Sequence, residues 1–363
     1  MTLKRSLFLF VALSILCAPI YSCKPQNPDK GEQKQEENKD NQEPENKDNE
    51  QPENTDVAGL IDSFTLVEER PDPVPVAGAV KLADASLRIF FVGNSFTQDA
   101  VNHLPGILAA AGIRDVTLAH CYYGGRTVPE YNDWSKEDYT LYKAEKGASS
   151  WSTHPEKVSL AQVATGGRWD IITVQEHTGN FRAWTWTLDE KNAILGLLDK
   201  LDKTQKEKPA FHYLLSQAYY NMDKIGSASR PYITWTDQAG MFEVIVKQAK
   251  TVMEEIDFKG IISTGAALQN LRTTSLDTPM NLTRDGYHMD YGTARYAAAC
   301  TVYDALIEPI YKISLDNNSY RYNKTDTTDG KYTTPVTDAS APICREAALS
   351  AVKKPYEVTT INK

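Results

Sequence analysis

Four short segments hold the residue types that acyl transfer requires. Val92-Gly93-Asn94-Ser95-Phe96-Thr97 supplies a hydroxyl and Tyr122-Tyr123-Gly124-Gly125-Arg126 two adjacent glycines and a cation. Val174-Gln175-Glu176-His177 supplies an amide beside ionisable groups, and Asp285-Gly286-Tyr287-His288 places a carboxylate three residues before an imidazole. A serine attacks a carbonyl when a base titrating near neutrality takes its proton and when donors face the charge that develops on the carbonyl oxygen. His288 is suited to be that base and Asp285 to orient it, while Gly124 and Gly125 let the backbone turn an amide into a cleft, which a Cβ would resist. Each segment also has a plainer reading. Asn94 and Ser95 are common helix caps, the glycine pair suits a strand-to-helix turn, and the last segment suits a surface turn before a helix. Asp290, two residues beyond His288, competes for the role of the acid. Arg126 contacts a substrate oxygen or pairs with Glu130, and the residues alone do not choose.

These segments must be held by regular elements, and the hydrophobic pattern supplies them. Apolar runs of strand type cover Leu87 to Gly93, Val116 to Cys121, Trp169 to Val174, Phe211 to Leu215 and Gly260 to Ser263. Between them lie helical patterns near His103 to Ala111, Val158 to Ala164, Glu190 to Leu201 and Met241 to Ile256, with another from Gly292 to Leu306. The alternation implies an α/β fold, a three-layer doubly wound parallel sheet of about five strands with helices on both faces. Ligands of such sheets bind at the carboxyl ends of the strands, where all four segments fall, so they are expected to converge on one rim.

On those segments the chain resembles the SGNH (GDSL-like) hydrolase superfamily, with its flavodoxin-like fold, and within it the DUF4886-type bacterial branch; the resemblance spans roughly residues 87 to 308. It implies Ser95 as nucleophile, His288 as general base and Asp285 as the orienting acid. The implied oxyanion hole comprises the Ser95 amide, an amide at Gly124 or Gly125, and the Gln175 side chain. Two departures stand out: Asn94 replaces the usual Asp before the serine, and Gln175 stands where most members have Asn. Some carbohydrate acetylesterases of the superfamily carry Gln there, in a Gln-Gly-Glu context similar to Gln175-Glu176-His177. An α/β-hydrolase shares the chain order Ser, Asp, His, but its serine follows several strands and its acid and histidine lie on separate loops. A metal hydrolase built on Glu176, His177, Asp285 and His288 fits by residue type alone, and no CxxC pair suggests zinc; no metal and no cofactor are expected.

Composition bounds the remaining classes. The chain has 363 residues, 41% hydrophobic and 24% charged, enough for a sizeable core. Its net charge of -9 is uneven: residues 24–56 hold eleven acidic residues against five lysines, so the acidity belongs to a tail. With no basic block to grip phosphates, no nucleic-acid partner is expected. Lys4 and Arg5 precede an apolar run from Leu7 to Leu16, which reads as a signal peptide over residues 1–22. Ile20-Tyr21-Ser22-Cys23 resembles a bacterial lipobox, making Cys23 the acylated residue and the start of a disordered acidic linker over residues 23–56. The linker repeats QKQEENKD, NQEPENKD and NEQPENTD and would tether a domain to a membrane across an r.m.s. span on the order of 30 Å. A Pro-rich lead-in at residues 57–86, a hydrolase-like domain at 87–311 and a C-terminal extension at 312–363 complete the organisation. Cys121, Cys300 and Cys344 are left, an odd number. Most aromatic residues after the second and third strands read as core or loop anchors, with Trp184 and Trp186 the candidates to stack on sugar rings. The expected function is a lipid-anchored serine esterase of the bacterial cell envelope, at the outer-membrane surface, that removes small acyl groups, acetyl first among them, from carbohydrate. The alternative is a non-catalytic glycan-binding lipoprotein on the same fold.

Overall fold

The computed structural model describes residues 70–175, 187–220, 237–277, 282–323 and 334–362. The expectations for the signal peptide, Cys23, the acidic linker, Glu176, His177, Trp184 and Trp186 lie outside the described residues. Among the described residues no helix is long and apolar enough to cross a membrane.

A mixed seven-stranded sheet forms the centre, in the order β4-β3-β2-β1-β5-β6-β7. Its strands are β1 (Leu87–Gly93), β2 (Val116–Tyr122), β3 (Tyr139–Ala144), β4 (Ser152–Val158), β5 (Ile171–Val174), β6 (Ala210–Leu215) and β7 (Gly260–Ser263). The five apolar runs form the parallel part, β2-β1-β5-β6-β7. The strand count is corrected from about five to seven by an antiparallel hairpin, β3 and β4, which extends the sheet beyond β2. This hairpin lacks the apolar signature because β4 is an edge strand, largely exposed, with Pro155 inside it and a register shift opposite. Val158, assigned by pattern to a helix, closes β4, and the helix begins at Leu160.

β1 is buried along its whole length because the sheet is covered on both faces. Phe90 and Val92 enter one hydrophobic cluster, while Leu87, Ile89 and Phe91 enter the other. The strand order reverses at β1, so its carboxyl end opens between those of β2 and β5. Helix α1 (Ser95–Val101) starts there and is followed by α2 (Leu104–Ala110). The other long helices are α3 (Leu188–Asp202), α4 (Gln238–Glu255), α5 (Thr264–Leu271), α6 (Thr293–Leu306) and α7 (Ser340–Lys353). In the lead-in, Val80 N–H donates to Gln162 O at 2.9 Å. In the C-terminal part, Ala341, Cys344, Ala347 and Ala348 of α7 are fully buried in the cluster that also contains α6, and Asn270 of α5 donates to Ala347 O at 3.0 Å.

Candidate active site

Ser95 is the first residue of α1, and the backbone chemistry of that turn leaves its amide available. The Asn94 side chain caps the helix by accepting from Phe96 N–H at 3.0 Å, so the cap belongs to Asn94 rather than to Ser95. Among the described residues the Ser95 N–H has no partner. Gly93 permits the turn: a Cβ there would lie 2.0 Å from Thr97 Oγ1 and 3.2 Å from Gln175 Oε1. Asn94 also joins three segments. Its side-chain NH2 donates to Arg126 O at 3.1 Å and its backbone N–H to Gln175 Oε1 at 3.3 Å.

Asp285 and His288 sit at the tip of a tight loop. Its stem pairs Thr283 with Met289, with Arg284 N–H donating to His288 O at 3.0 Å and Asp290 N–H to Leu282 O at 2.9 Å. At the tip, Asp285 Oδ1 accepts from His288 N–H at 2.8 Å and Tyr287 N–H at 3.2 Å. Its second oxygen faces the ring. His288 Nδ1 lies 2.7 Å from Asp285 Oδ2, and His288 Nε2 lies 2.8 Å from Ser95 Oγ. Both distances are hydrogen bonds, and with Nδ1 donating to the carboxylate, Nε2 is left to accept from the serine. Burial alone would raise the Asp285 carboxyl, but the bonds from His288, its charge when protonated, and the Tyr287 amide outweigh it and hold the group at about 2. The imidazole is set edge-on to Phe96, at 5.5 Å between ring centres, and against Tyr287 at 4.1 Å, which fixes its plane. Residues after β6 clamp the tip from outside, through Gln217 Nε2 to Tyr287 O at 2.9 Å and Tyr220 N–H to Gly286 O at 2.8 Å.

The other expected donors lie in the segments that follow β5 and β2. Gln175 is fully buried directly after β5, and its oxygen accepts from Asn94 N–H and from Thr97 Oγ1–H at 3.1 Å, so the oxygen end of the amide faces α1. Gly124 and Gly125 are exposed in the turn after β2, Gly125 with φ +72°, and among the described residues neither N–H is bonded.

Two expectations change. Arg126 neither pairs with Glu130 nor points freely at a substrate. It is buried, forks onto Asp138 at 2.8 and 2.7 Å, and stacks 3.8 Å above the Tyr123 ring. Glu130 is held by a capping box with Thr127 instead. Asp290 does not compete for the acid role: Gly292 and Ala294 amides occupy its Oδ1 and the Thr334 amide its Oδ2, capping the start of α6. Cys121, Cys300 and Cys344 are all free thiols buried in the core.

The residues missed from the sequence are those that join the segments: Asn94 as a bridge, Gln217, and Asp99 with Arg284 and Arg295. Asp99 is fully buried on α1 with both arginines on its carboxylate. A charged residue one helical turn after the serine, on a helix otherwise packed into the core, was the available signal.

No curated protein matches the chain. Among solved structures, the crystal structure of a DUF4886 family protein from Bacteroides uniformis is similar, with TM-score 0.62 and 23% identity, over 76% of this chain and 98% of that one. The salicylyl-acyltransferase SsfX3 from a tetracycline biosynthetic pathway aligns with TM-score 0.32 and 13% identity, over 76% of this chain and 57% of that one. Residues 88–339 match the domain of unknown function DUF4886, which takes in the whole rim, from Ser95 through Gln175 to His288. The chain belongs to the DUF4886 family.

Proposed function

We propose that the protein is a serine esterase that removes small acyl groups, acetyl above all, from carbohydrate. The observation that carries the reading is the continuous relay from Ser95 Oγ through His288 to Asp285, with links of 2.8 and 2.7 Å, at the open end of the central strand. In this reading Ser95 Oγ attacks the ester carbonyl while His288 Nε2 takes its proton, and Asp285 holds Nδ1–H and stabilises the imidazolium. The charge that forms on the carbonyl oxygen meets the Ser95 amide, an amide of the Gly124-Gly125 turn and the Gln175 NH2. The tetrahedral intermediate then expels the sugar alkoxide, which takes the proton from His288. Water, deprotonated by the same imidazole, releases the acid from Ser95 in a second round.

The carbohydrate part rests on surface chemistry. Tyr123, next to the glycine pair, and Tyr220, next to the Asp285–His288 tip, are 39% and 44% exposed. Flat rings of this kind suit the apolar faces of sugars. Arg126, clamped by Asp138, backs the Tyr123 ring and keeps it rigid. Tyr123 and Tyr220 support the carbohydrate part, and the sequence around Cys23 supports the membrane tether.

Treatment with a fluorophosphonate followed by mass spectrometry tests the chemistry: a stoichiometric adduct on Ser95, absent in Ser95→Ala, is expected. No adduct in folded wild-type protein would overturn the esterase and favour the glycan-binding alternative. Release of acetate from acetylated oligosaccharides tests the substrate class. For the envelope location, Cys23→Ala is expected to move the protein from membrane to soluble fractions and to abolish metabolic lipid labelling; unchanged partition without label would overturn the anchor.

A further inference from the structure

We propose that Asp99 is a positioning residue that locks the loop bearing Asp285 and His288 onto the helix bearing Ser95. The inference rests on the reading of these three residues as a catalytic relay.

Asp99 lies one turn after Ser95 on α1 and is completely buried. Its Oδ1 accepts from Arg284 Nη1 at 2.9 Å and from Arg295 Nε and Nη2 at 2.9 and 2.6 Å. Its Oδ2 accepts from the Met289 N–H at 3.0 Å and from Arg284 Nη1 at 3.1 Å. Arg284 immediately precedes Asp285, and Met289 immediately follows His288. One carboxylate therefore grips both stems of the four-residue tip, and Arg284 closes the stem by donating also to Met289 O. Arg295 extends the hold to α6, and the Tyr291 ring covers both guanidinium groups at 4.9 and 4.5 Å.

Adhesion between α1 and the loop would not require charge. Apolar side chains of similar volume often stabilise such a contact as well or better, because a buried ionic cluster is costly to desolvate. What the cluster adds is direction, since charge-assisted hydrogen bonds to a carboxylate have short, narrow geometry. The Ser95–His288 bond joins two elements with separate supports, and a misplacement of about 1 Å costs reactivity on the order of a hundredfold. Asp99 is the group through which those supports become one.

The test uses the full chain with Asp99→Asn and Arg284→Gln. Three quantities are measured: the rate of fluorophosphonate labelling at Ser95, the melting transition, and the downfield proton resonance of His288 Nδ1–H. Asp99→Asn is expected to label about a hundredfold more slowly while melting cooperatively, with the resonance shifted or broadened. Arg284→Gln leaves Arg295 on Asp99 and is expected to label about tenfold more slowly. Wild-type labelling in either folded variant would overturn the proposal, as would slow labelling with an unchanged resonance. If Asp99→Asn does not fold, Arg284→Gln decides. A wild-type protein that never labels would sink the esterase reading instead, and the resonance comparison would still decide the role of Asp99.

Discussion

Two carboxylates bracket His288 on one loop, and they spend their oxygens differently. Asp285 places the Tyr287 and His288 amides on Oδ1 and keeps Oδ2 for the imidazole. Asp290 commits both oxygens to amides, those of Gly292 and Ala294 on one side and Thr334 on the other. The Asp285 side chain is 31% exposed, whereas Asp290 is wholly buried. Burial pushes both groups up. At Asp285 the His288 bonds and the amides prevail and hold it at about 2. Desolvation prevails at Asp290, against the bonds from Thr334, Ala294 and Gly292, and raises it to about 6. Proximity in sequence to the histidine therefore does not select the acid. The oxygen left over after the backbone is satisfied selects it.

Asp285→Asn is the sharpest way to break this comparison. An amide cannot hold the same tautomer of His288 and Asp290 has no oxygen to lend, so kcat for an aryl acetate is expected to fall by about 10⁴. A mild loss there beside a severe one in Asp290→Asn would reverse the assignment. Gln175→Ala comes next, with kcat lower by about 10² to 10³ and KM little changed, because an oxyanion bond strengthens in the transition state. A rise in KM at constant kcat would instead make Gln175 a ground-state contact. Asp290→Asn is expected to cost about 1 to 3 kcal/mol in denaturant unfolding, with kcat per folded molecule near wild type, since it disturbs the amide cap of α6. The smallest effect is one of sign in the pH dependence of Tm. Asp285 titrates lower in the folded protein than its ordinary 3.8, so its stabilisation is present above 3.8 and lost as pH falls toward 2. Asp290 titrates higher, so its contribution is full below 3.8 and lost as pH rises through about 6. Melting curves of the two variants against wild type are expected to diverge in those opposite directions; parallel pH profiles would contradict the contrast.

The sequence disclosed most where one residue type carries one physical consequence. Leu87–Gly93 and Ile171–Val174 are buried along their whole length and, apart from Arg88 and Thr173, apolar, as strands covered on both faces tend to be. The hairpin strand Ser152–Val158 is mostly exposed, so nothing apolar marked it. Helix Thr264–Leu271 escaped for the opposite reason: every residue is buried, and a helix covered all round has no polar face to generate a period. Arg126 shows a signal that was present and unused. Thr127-Val128-Pro129-Glu130 has the spacing of a capping box, which assigns Glu130 to the helix start and leaves Arg126 to find Asp138 across the turn.

By itself the sequence determined the parallel core of the α/β sheet and the strand ends beside which Ser95 and Gln175 fall, because a buried strand and its end are written locally. Only the tertiary structure decided which of two carboxylates orients His288, where Arg126 goes, and that Asp99 joins helix α1 to the Asp285–His288 loop. Arg284 and Arg295 lie 185 and 196 residues from Asp99 along the chain. A buried charge chooses its partners from whatever the fold packs around it, and that choice is made by desolvation and hydrogen-bond geometry at long range, not by spacing along the chain.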